Sequence, residues 1–384
     1  MTTRRTFLAT LGASAVTAGL PGLAHGATAP AADSAAPAGS PAHLGRVPFI
    51  HTTDLYHPPQ DPDDHVDLAT LYALPEVDLR AIILDPSRKF IAQLDPGFIP
   101  VAQLNYLTGR AVPAAAGPLD PLQALTDTAA DRPRPEQTGI HLLLETLRHC
   151  EEPAVISVAG SARAVAAAWN REPDLLRRKV RAILLNAGGC VPAAPPEWNV
   201  QLDPWAYTAL FRSGLPIEWY PCSGEKGPFD SGTHNTFWRI SHRELFANLP
   251  RPLAAWFEYA LTGNPQSAAI RTLAGLGQGP AWEKLLTGDR NMWCTASFAL
   301  AAGRVLAHTA EGWRFVRREQ AAGTRQQTLE TIPVACEAND HGVVSWMRTD
   351  KPSPARLFQR APGEEHTLAM RQATNALLRS LAVV

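Results

Sequence analysis

The sequence lacks an excess of charge of either sign. It has 35 Lys and Arg residues against 36 Asp and Glu residues, which gives a formal net charge of -1. Proteins that hold a nucleic-acid backbone need a clear basic surplus. We therefore expect no nucleic-acid partner and look for a small-molecule substrate instead.

Cysteines and long apolar runs are also scarce. The five cysteines are widely spaced and form no C-x-x-C pair, which excludes a zinc ribbon, a thioredoxin-like motif and a disulfide scaffold. The apolar stretch near the N-terminus, from Phe7 to about Leu23, is interrupted by Pro21. It is short of the ~20 residues that cross a bilayer, so we expect no membrane span once this segment is removed.

The N-terminal segment has the features of an export signal. T-R-R-T-F-L at positions 3–8 matches the twin-arginine pattern, and A-H-G at 24–26 offers small residues near a cleavage site. We predict a twin-arginine signal peptide over 1–29 and a flexible Ala/Pro/Ser/Gly-rich linker over 30–44. The protein would then be periplasmic or extracellular, with its folded domain at 45–384.

The remaining chain alternates between continuous apolar runs and amphipathic segments. The predicted strands are Arg46–Thr52, Leu79–Leu84, Ala111–Ala115, Ala154–Ala159, Val180–Leu185 and Pro216–Pro221. The predicted helices between and after them are Asp64–Leu74, Gly97–Leu107, Thr138–His149, Ala162–Asn170 and Pro204–Ser213. This order predicts an α/β fold with a mostly parallel sheet and helices on both faces. A C-terminal extension carries a predicted strand at Gly342–Trp346 and a final helix at Glu365–Leu381.

An acidic segment follows the first predicted strand, at an edge where such sheets bind ligands. Its titratable side chains are Asp54, His57, Asp61, Asp63, Asp64 and His65. Four carboxylates so close together would repel each other without a cation, and oxygen ligands suit Ca²⁺ or Mg²⁺. The alternative is structural, because acidic residues such as Asp63 and Asp64 commonly occupy a helix N-cap or first turn.

Five segments in a fixed order carry a family resemblance. They are D-D-H-V-D-L-A-T-L-Y-A-L-P-E-V (63–77), R-A-V-P-A-A-A-G (110–117), I-S-V-A-G-S-A-R-A (156–164), L-L-N-A-G-G (184–189) and E-W-N-V-Q-L-D-P-W-A (197–206). The last is followed by S-G-L-P-I at 213–217. Together they resemble the nucleoside hydrolase family of the inosine–uridine-preferring type. The resemblance extends from Arg46 to about Tyr220.

The resemblance implies a Ca²⁺-dependent enzyme that hydrolyses N-glycosidic bonds, in which water attacks the anomeric carbon. Carried over by position, Asp54 would be the metal-bound base and Asp64 the principal metal ligand. Asp63 would take a catalytic role and bind a ribose hydroxyl, and Glu197 and Asn199 would hydrogen-bond the sugar. Asn186, in the fourth segment, is a further candidate. Asp203 matches the family pattern too, but we interpret it as the N-cap of the next helix.

The first half of the pattern departs from the family at three positions. Asp54 and Asp63 are nine positions apart instead of four, so either the loop bulges outward or Asp61 takes a ligand role. Arg163 replaces a threonine whose carbonyl binds metal, and its side chain either points elsewhere or pairs with an acid such as Asp61. Asp85 stands where the family has an asparagine and could restore a negative charge.

The late half departs further. The family's H-D-P segment corresponds best to Asn291–Ala296, where the soft thiol of Cys294 would be a poor Ca²⁺ ligand. His234, in a polar loop with aromatic residues, is a candidate for binding the leaving group. His57, in the acidic segment, is a possible site residue with no assigned role.

Two functions from different classes remain open. The first is an exported hydrolase of nucleosides or related ribosides. The second is a catalytically altered homologue that binds a sugar-like ligand without turnover. A hydrolase of a different glycoside and a thiol hydrolase built on Cys294 are weaker alternatives. Either protein could form a homo-oligomer.

Overall fold

The computed structural model describes residues 46–193, 195–262 and 269–384. The predicted signal peptide (1–29) and linker (30–44) lie outside the described residues. Within the described ranges, no helix combines the length and the apolar character needed to cross a membrane.

A nine-stranded sheet forms the centre of the fold. Its strands are β1 (Val47–Thr53), β2 (Val77–Leu84), β3 (Ala114–Ala116), β4 (Ala154–Ala159), β5 (Val180–Leu185), β6 (Ile217–Trp219), β12 (Leu329–Ala338), β13 (Val344–Arg348) and β14 (Ala355–Arg360). Their order is β13-β12-β14-β6-β5-β4-β1-β2-β3. The strands from β14 to β3 run parallel to one another. β12 pairs antiparallel with both β14 and β13.

Two smaller sheets complete the strand content of the described residues. A two-stranded sheet pairs β7 (Trp238–Ser241) with β8 (Asp289–Met292), and a three-stranded sheet joins β9 (Arg304–Thr309), β10 (Gly312–Arg317) and β11 (Arg325–Gln327). Both are antiparallel. None of these strands was predicted, because the family resemblance fades after about Tyr220 and the strands are short.

Helices cover both faces of the central sheet, as predicted. They are α1 (Asp63–Ala73), α2 (Phe98–Thr108), α3 (Arg134–His149), α4 (Arg163–Arg171), α5 (Pro173–Lys179), α6 (Trp198–Leu202), α7 (Pro204–Arg212), α8 (His242–Leu245), α9 (Arg251–Leu261), α10 (Ala269–Thr272), α11 (Pro280–Leu285), α12 (Thr295–Ala301) and α13 (Glu364–Arg379). One apolar core includes residues of α1, α2, α9, α12 and α13, and the other includes residues of α3, α4, α5 and α7. Neighbouring strand residues alternate between them, Phe49 in the first core and Ile50 in the second.

The predicted elements of the first half agree closely with the structure. Strands Ala154–Ala159 and Val180–Leu185 have the predicted bounds, and α1 begins at Asp63, one residue before the prediction. The predicted helix Thr138–His149 begins earlier, at Arg134, because Pro135 is tolerated in a first helical turn. The C-terminal segment is an integral part of the domain, because β12–β14 complete the main sheet and α13 packs into the first core.

Candidate active site

Two acidic side chains meet where neighbouring strands end. Asp54 follows β1 and Asp85 follows β2. Between them lies Gly160, which follows β4 with a φ of 149°. A Cβ atom on Gly160 would lie 2.7 Å from Oδ2 of Asp85 and 3.5 Å from Oδ1 of Asp54. The glycine therefore gives the two carboxyl groups the room they occupy.

Two hydrogen bonds from Ser161 hold the Asp85 carboxyl group in place. Its Oδ2 accepts a hydrogen bond of 2.6 Å from the Ser161 backbone N–H, and its Oδ1 accepts one of 2.8 Å from the Ser161 hydroxyl. The side chain is buried and does not line the cavity described below. Asp85 therefore acts on Asp54 through its charge.

The N-terminus of α1 brings two more carboxyl groups to this edge. Oδ1 of Asp64 accepts a 2.8 Å hydrogen bond from the Thr53 hydroxyl at the end of β1. Asp54 and Asp64 lie close enough for their carboxyl groups to share a hydrogen bond, and Asp63 and Asp61 are related in the same way. The N-cap position is Pro62 and no side chain caps this helix, so Asp63 and Asp64 are not cap residues. They lie in the first turn, where the helix dipole favours negative charge.

Burial and mutual repulsion make these acids unusually weak. Burial, and then the charge of Asp85, raises the pKa of Asp54 to about 7. Burial raises the pKa of Asp63 and of Asp64 well above the usual range, and the charges of neighbouring aspartates add to this. Among the described residues, no Lys or Arg forms an ion pair with any of these three. A bound cation would relieve the repulsion.

Asp61 differs from the other acids of the segment. Its side chain is 62% exposed and lies 3.9 Å from the guanidinium of Arg290. The long spacing between Asp54 and Asp63 predicted either an outward loop or a ligand role for Asp61. The loop that contains Asp61 lies toward solvent, as in the first alternative. The structure places Asp61 at the edge of the acidic group, where it is still part of the cavity wall.

The acids face a cavity of about 720 Å³. Its lining includes, besides Asp54, Asp61, Asp63 and Asp64, the side chains of Gln60, Glu197, Trp198, Asn199, Gln201, Cys222, Ser223, Glu225, Phe229, Trp293 and Cys294. It also reaches residues 342–344, next to β13. Segments from both halves of the chain therefore form one cavity at the carboxyl edge of the sheet.

Glu197 and Asn199 lie at the start of α6. Oε1 of Glu197 accepts a 3.0 Å hydrogen bond from the Asn199 backbone N–H, and Oε2 accepts one of 2.8 Å from the Gly188 N–H. Burial raises the pKa of Glu197, although these backbone donors oppose the rise. The Asn199 side chain donates to the Asn186 carbonyl at 3.3 Å. This arrangement fixes two polar side chains in the cavity wall.

A loop after β6 forms the aromatic part of the wall. Phe229 lies on this loop, and its ring centroid is 6.1 Å from that of Trp293. The buried Asn235 holds the loop, because its side-chain amide donates to the carbonyls of Pro228 at 3.0 Å and Asp230 at 2.9 Å. The Trp293 indole N–H also donates to the Pro228 carbonyl, at 3.4 Å. The position of Phe229 is therefore set by the polar interior of its own loop.

Sequence reasoning missed Asp67, one turn after Asp64 in α1. Asp67 is fully buried, and its Oδ1 accepts a 3.2 Å hydrogen bond from the Thr295 hydroxyl. The Cys294 thiol also donates to it, and burial raises the pKa of Asp67 to about 7. Burial, together with the Asp67 charge, raises the pKa of Cys294 well above that of an ordinary thiol. The available signal was its spacing, because a residue three positions after Asp64 lies on the same helix face.

Besides Asp85, three predicted residues do not line the cavity. His57 is buried and stacks on Tyr259, with ring centroids 4.9 Å apart. Asn186 is buried, and its side-chain amide donates to the carbonyls of β4 and β5. His234 is held away by the Phe358 carbonyl, 2.9 Å from its Nδ1, and by the Trp346 ring. His234 therefore does not contribute to the cavity wall.

Arg163 points away from the acidic group. Its Nε donates to the Asp203 carboxylate at 3.2 Å, and its guanidinium also donates to the Pro118 and Leu202 carbonyls, at 2.9 and 3.0 Å. It therefore does not pair with Asp61. Asp203 accepts a hydrogen bond of 2.9 Å from the Ala206 N–H at the start of α7. The prediction that Asp203 caps this helix is confirmed.

The oxygen atoms that this site offers as metal ligands fit Ca²⁺ in part. Asp54 and Asp64 provide two adjacent carboxylates, which are hard oxygen ligands of the kind Ca²⁺ prefers. Within the part of the chain that the structure describes, however, no three acidic, His or Cys side chains converge as a metal-binding group. At the late position where the family supplies an acid, this chain has Cys294. A cation here would be held by two protein carboxylates, with carbonyl, water or substrate oxygens as its other ligands.

Comparison with known proteins relates about two fifths of the chain to ribonucleoside hydrolases. No family model matches the chain. It is similar to a pyrimidine-specific ribonucleoside hydrolase of Citrobacter koseri, with 29% identity over 176 residues, 40% of this chain and 55% of that protein. A counterpart in an Enterobacter species is 29% identical over 192 residues, 44% of this chain and 58% of its own length. The chain thus matches little more than half the length of these relatives.

Solved structures extend the likeness to almost the whole fold. A purine-preferring ribonucleoside hydrolase from Gardnerella vaginalis superposes with a TM-score of 0.52 at 14% identity, covering 86% of this chain and 99% of that one. A plant nucleoside hydrolase gives a TM-score of 0.50 at 15% identity, covering 87% and 99%. The chain therefore has the fold of nucleoside hydrolases, as the sequence segments predicted.

Proposed function

We propose that this protein hydrolyses the N-glycosidic bond of nucleosides or related ribosides. The observation that carries the proposal is the group of Asp54, Asp63 and Asp64 at the sheet edge, facing a cavity whose wall also holds Glu197 and Asn199. The similarity of 40% of the chain to a ribonucleoside hydrolase supports the same function.

In this mechanism the polar wall binds the sugar. Ribose hydroxyls would donate to the carboxylates of Asp63 and Glu197, and the Asn199 amide would offer both a donor and an acceptor. Because Glu197 is already fixed by two backbone N–H groups, its oxygens are oriented before substrate arrives. Such prior orientation reduces the entropy that substrate binding must overcome.

Asp54 would accept the proton of the attacking water. Its pKa of about 7 in the unliganded protein is close to neutral pH, the range in which a carboxylate works best as a general base. Asp85, locked by Ser161, maintains that pKa through its charge. The water oxygen forms a bond to the anomeric carbon as the bond to the base nitrogen breaks. The electron pair of that bond leaves with the base, which takes up a proton from solvent.

Asp54 and Asp64 are the residues that would hold Ca²⁺. When bound, the ion would supply Lewis-acid activation of water and would orient oxygen ligands. The two side chains suit this ion because their carboxylate oxygens are hard ligands of the kind that Ca²⁺ prefers.

A binding protein without turnover is the second candidate. Cys294 at the late position, and the absence of a three-residue metal group among the described residues, favour it. The same cavity would then bind a riboside without cleaving it. Under both candidates we propose export by the twin-arginine route, on the basis of residues 1–29.

The test is release of ribose from a panel of purine and pyrimidine nucleosides, with and without Ca²⁺. The variants are Asp64→Asn and, as a matched control, Asp131→Asn, whose side chain is 76% exposed. Calorimetric titration with Ca²⁺ runs in parallel. The hydrolase predicts release that needs both Ca²⁺ and Asp64 and that is unchanged in the control.

Two other results would separate the alternatives. Riboside binding with no release from any nucleoside would favour the binding protein. Release that is indifferent to Ca²⁺ and survives Asp64→Asn would refute the role assigned to this carboxylate.

A further inference from the structure

Arg360, the last residue of β14, is only 1% exposed. Its Nε donates to the Gly232 carbonyl at 3.0 Å, and its backbone N–H donates to the Thr233 carbonyl, also at 3.0 Å. Both Nη groups are buried and have no hydrogen-bond acceptor in the part of the chain that the structure describes. The fork formed by these two groups therefore carries donors that the described fold leaves unsatisfied, which is rare for buried polar groups.

A buried histidine lies close enough to Arg360 to feel its charge. His366, in the first turn of α13, is 1% exposed, and neither ring nitrogen has a hydrogen-bond partner among the described residues. Burial, and then the Arg360 charge, lowers the pKa of His366 to about 3. The ring is therefore neutral at pH 7 and keeps one N–H donor. The N-terminus of α13 has no side-chain cap and adds a partial positive charge here. Its two glutamates, Glu364 and Glu365, are exposed, and Glu365 pairs with Arg325.

Arg360 carries a full positive charge in this interior. Burial lowers the pKa of Arg360 only to about 10, and the charge of Asp230 opposes the fall, so the group is protonated at neutral pH. Asp230 forms no ion pair with it, and its carboxylate accepts a 3.2 Å hydrogen bond from the Lys226 backbone N–H instead. A buried charge without a counter-ion is unfavourable. Water could satisfy the N–H groups but would leave the charge uncompensated, whereas a monovalent anion would do both.

We propose that Arg360 and His366 form a binding site for one small monovalent anion of the chloride class. The two Nη groups donate to the anion as a charge-assisted pair, and the neutral His366 ring donates through its one N–H. A single negative charge balances the charge of Arg360, whereas a divalent anion would leave an excess in the interior. Neither residue lines the acidic cavity, so the site is separate from the candidate active site and does not depend on the proposed hydrolase.

The anion would also support the loop after β6, which forms the aromatic part of the cavity wall. Arg360 holds this loop through the Gly232 and Thr233 carbonyls, and Phe229 lies on the same loop. An anion that fixes the guanidinium would therefore fix the loop as well. We expect amide hydrogen exchange over residues 229–236 to be slower in chloride than in a chloride-free buffer of the same ionic strength.

The first experiment is thermal unfolding of the full protein at constant ionic strength, with chloride replacing gluconate, an anion too bulky for a closed site. In the parent protein the effect should saturate, and chloride at 100 times its Kd should lower the equilibrium constant for unfolding about a hundredfold. Arg360→Met keeps the side-chain length, removes the charge and should abolish this dependence. The matched control Arg243→Met, whose side chain is 65% exposed, should retain it. No saturable effect in the parent, or an equal effect in Arg360→Met, would overturn the inference.

The second experiment keeps the test decisive if Arg360→Met does not fold. Asp230→Asn leaves every donor of the site in place and removes the acidic charge that acts on Arg360. It should bind chloride at least about threefold more tightly, because a nearby negative charge repels an anion. Binding is measured from the broadening of the chloride NMR signal, which added bromide should reverse. Unchanged or lost chloride binding in Asp230→Asn would show that the anion does not lie beside Arg360 and would refute the site.

Discussion

Replacement of Arg163 by methionine tests how the loops around the site are held. Arg163 is 2% exposed and its partner Asp203 is fully buried, with their charged atoms 3.2 Å apart. The guanidinium also donates to the carbonyls of Pro118, which follows β3, and of Leu202, the last residue of α6. It therefore connects these two segments. Arg163→Met keeps the length of the side chain and removes every one of these donors.

The expected loss of stability follows from what the substitution leaves behind. Asp203 keeps two backbone donors, Leu122 N–H at 2.8 Å and Ala206 N–H at 2.9 Å. It loses the one ion-pair partner that it has among the described residues. Removing one member of a buried ion pair costs about 3–5 kcal/mol. The Arg163 charge at present opposes the rise that burial causes in the pKa of Asp203. Without it that pKa rises further, so the loss should be smaller at pH 5, where Asp203 can take up a proton, than at pH 8.

The assay is urea unfolding at both pH values, followed by the fluorescence of the 10 Trp residues. Arg239→Met is the matched control, since Arg239 pairs with Asp289 at 2.6 Å while both side chains are at least half exposed. An exposed pair contributes about 0–1 kcal/mol. If Arg163→Met loses no more than Arg239→Met, or loses the same amount at both pH values, the reasoning about the buried pair is wrong.

Three further predictions concern the cation, the aromatic loop and a buried imidazole. At a free concentration of 100 times its Kd, Ca²⁺ should raise the free energy of unfolding of the parent protein by about 2.7 kcal/mol in thermal unfolding and leave that of Asp64→Asn unchanged. Equal stabilisation of both proteins would place the ion elsewhere. Asn235→Ala should cost about 1–3 kcal/mol by removing the donor of the Asp230 carbonyl and one of the two donors of the Pro228 carbonyl. It should also raise KM more than it lowers kcat, whereas an unchanged KM would mean that the loop does not depend on this amide. Burial lowers the pKa of His366 to about 3, so below pH 6.5 only the unfolded chain takes up this proton and stability falls by up to about 1.4 kcal/mol per pH unit. In urea unfolding, the free energy of unfolding of His366→Leu should fall less steeply with decreasing pH than that of the parent protein. Equal slopes for the two proteins would refute this.

The sequence by itself determined the local features of this protein. The apolar runs 154–159 and 180–185 could be assigned as strands because continuous burial needs continuous apolar side chains. Asp203 could be assigned as an N-cap because capping depends on residues within one turn. The acids of the segment after β1 could be placed at a ligand-binding edge, because the strand-to-helix order fixes where a parallel sheet ends.

Only the tertiary structure decided which distant residues meet. Asp67 and Thr295 are 228 positions apart and share a hydrogen bond, and the partner of Arg163 is Asp203 instead of Asp61. His234 belongs to a polar loop that looked suitable for a leaving group, yet its imidazole is held by the Phe358 carbonyl of β14. Periodicity and capping act over a few residues and are readable in the chain. Long-range pairing depends on strand order and on which side chain occupies each buried gap, and these are settled only when the whole sheet has formed.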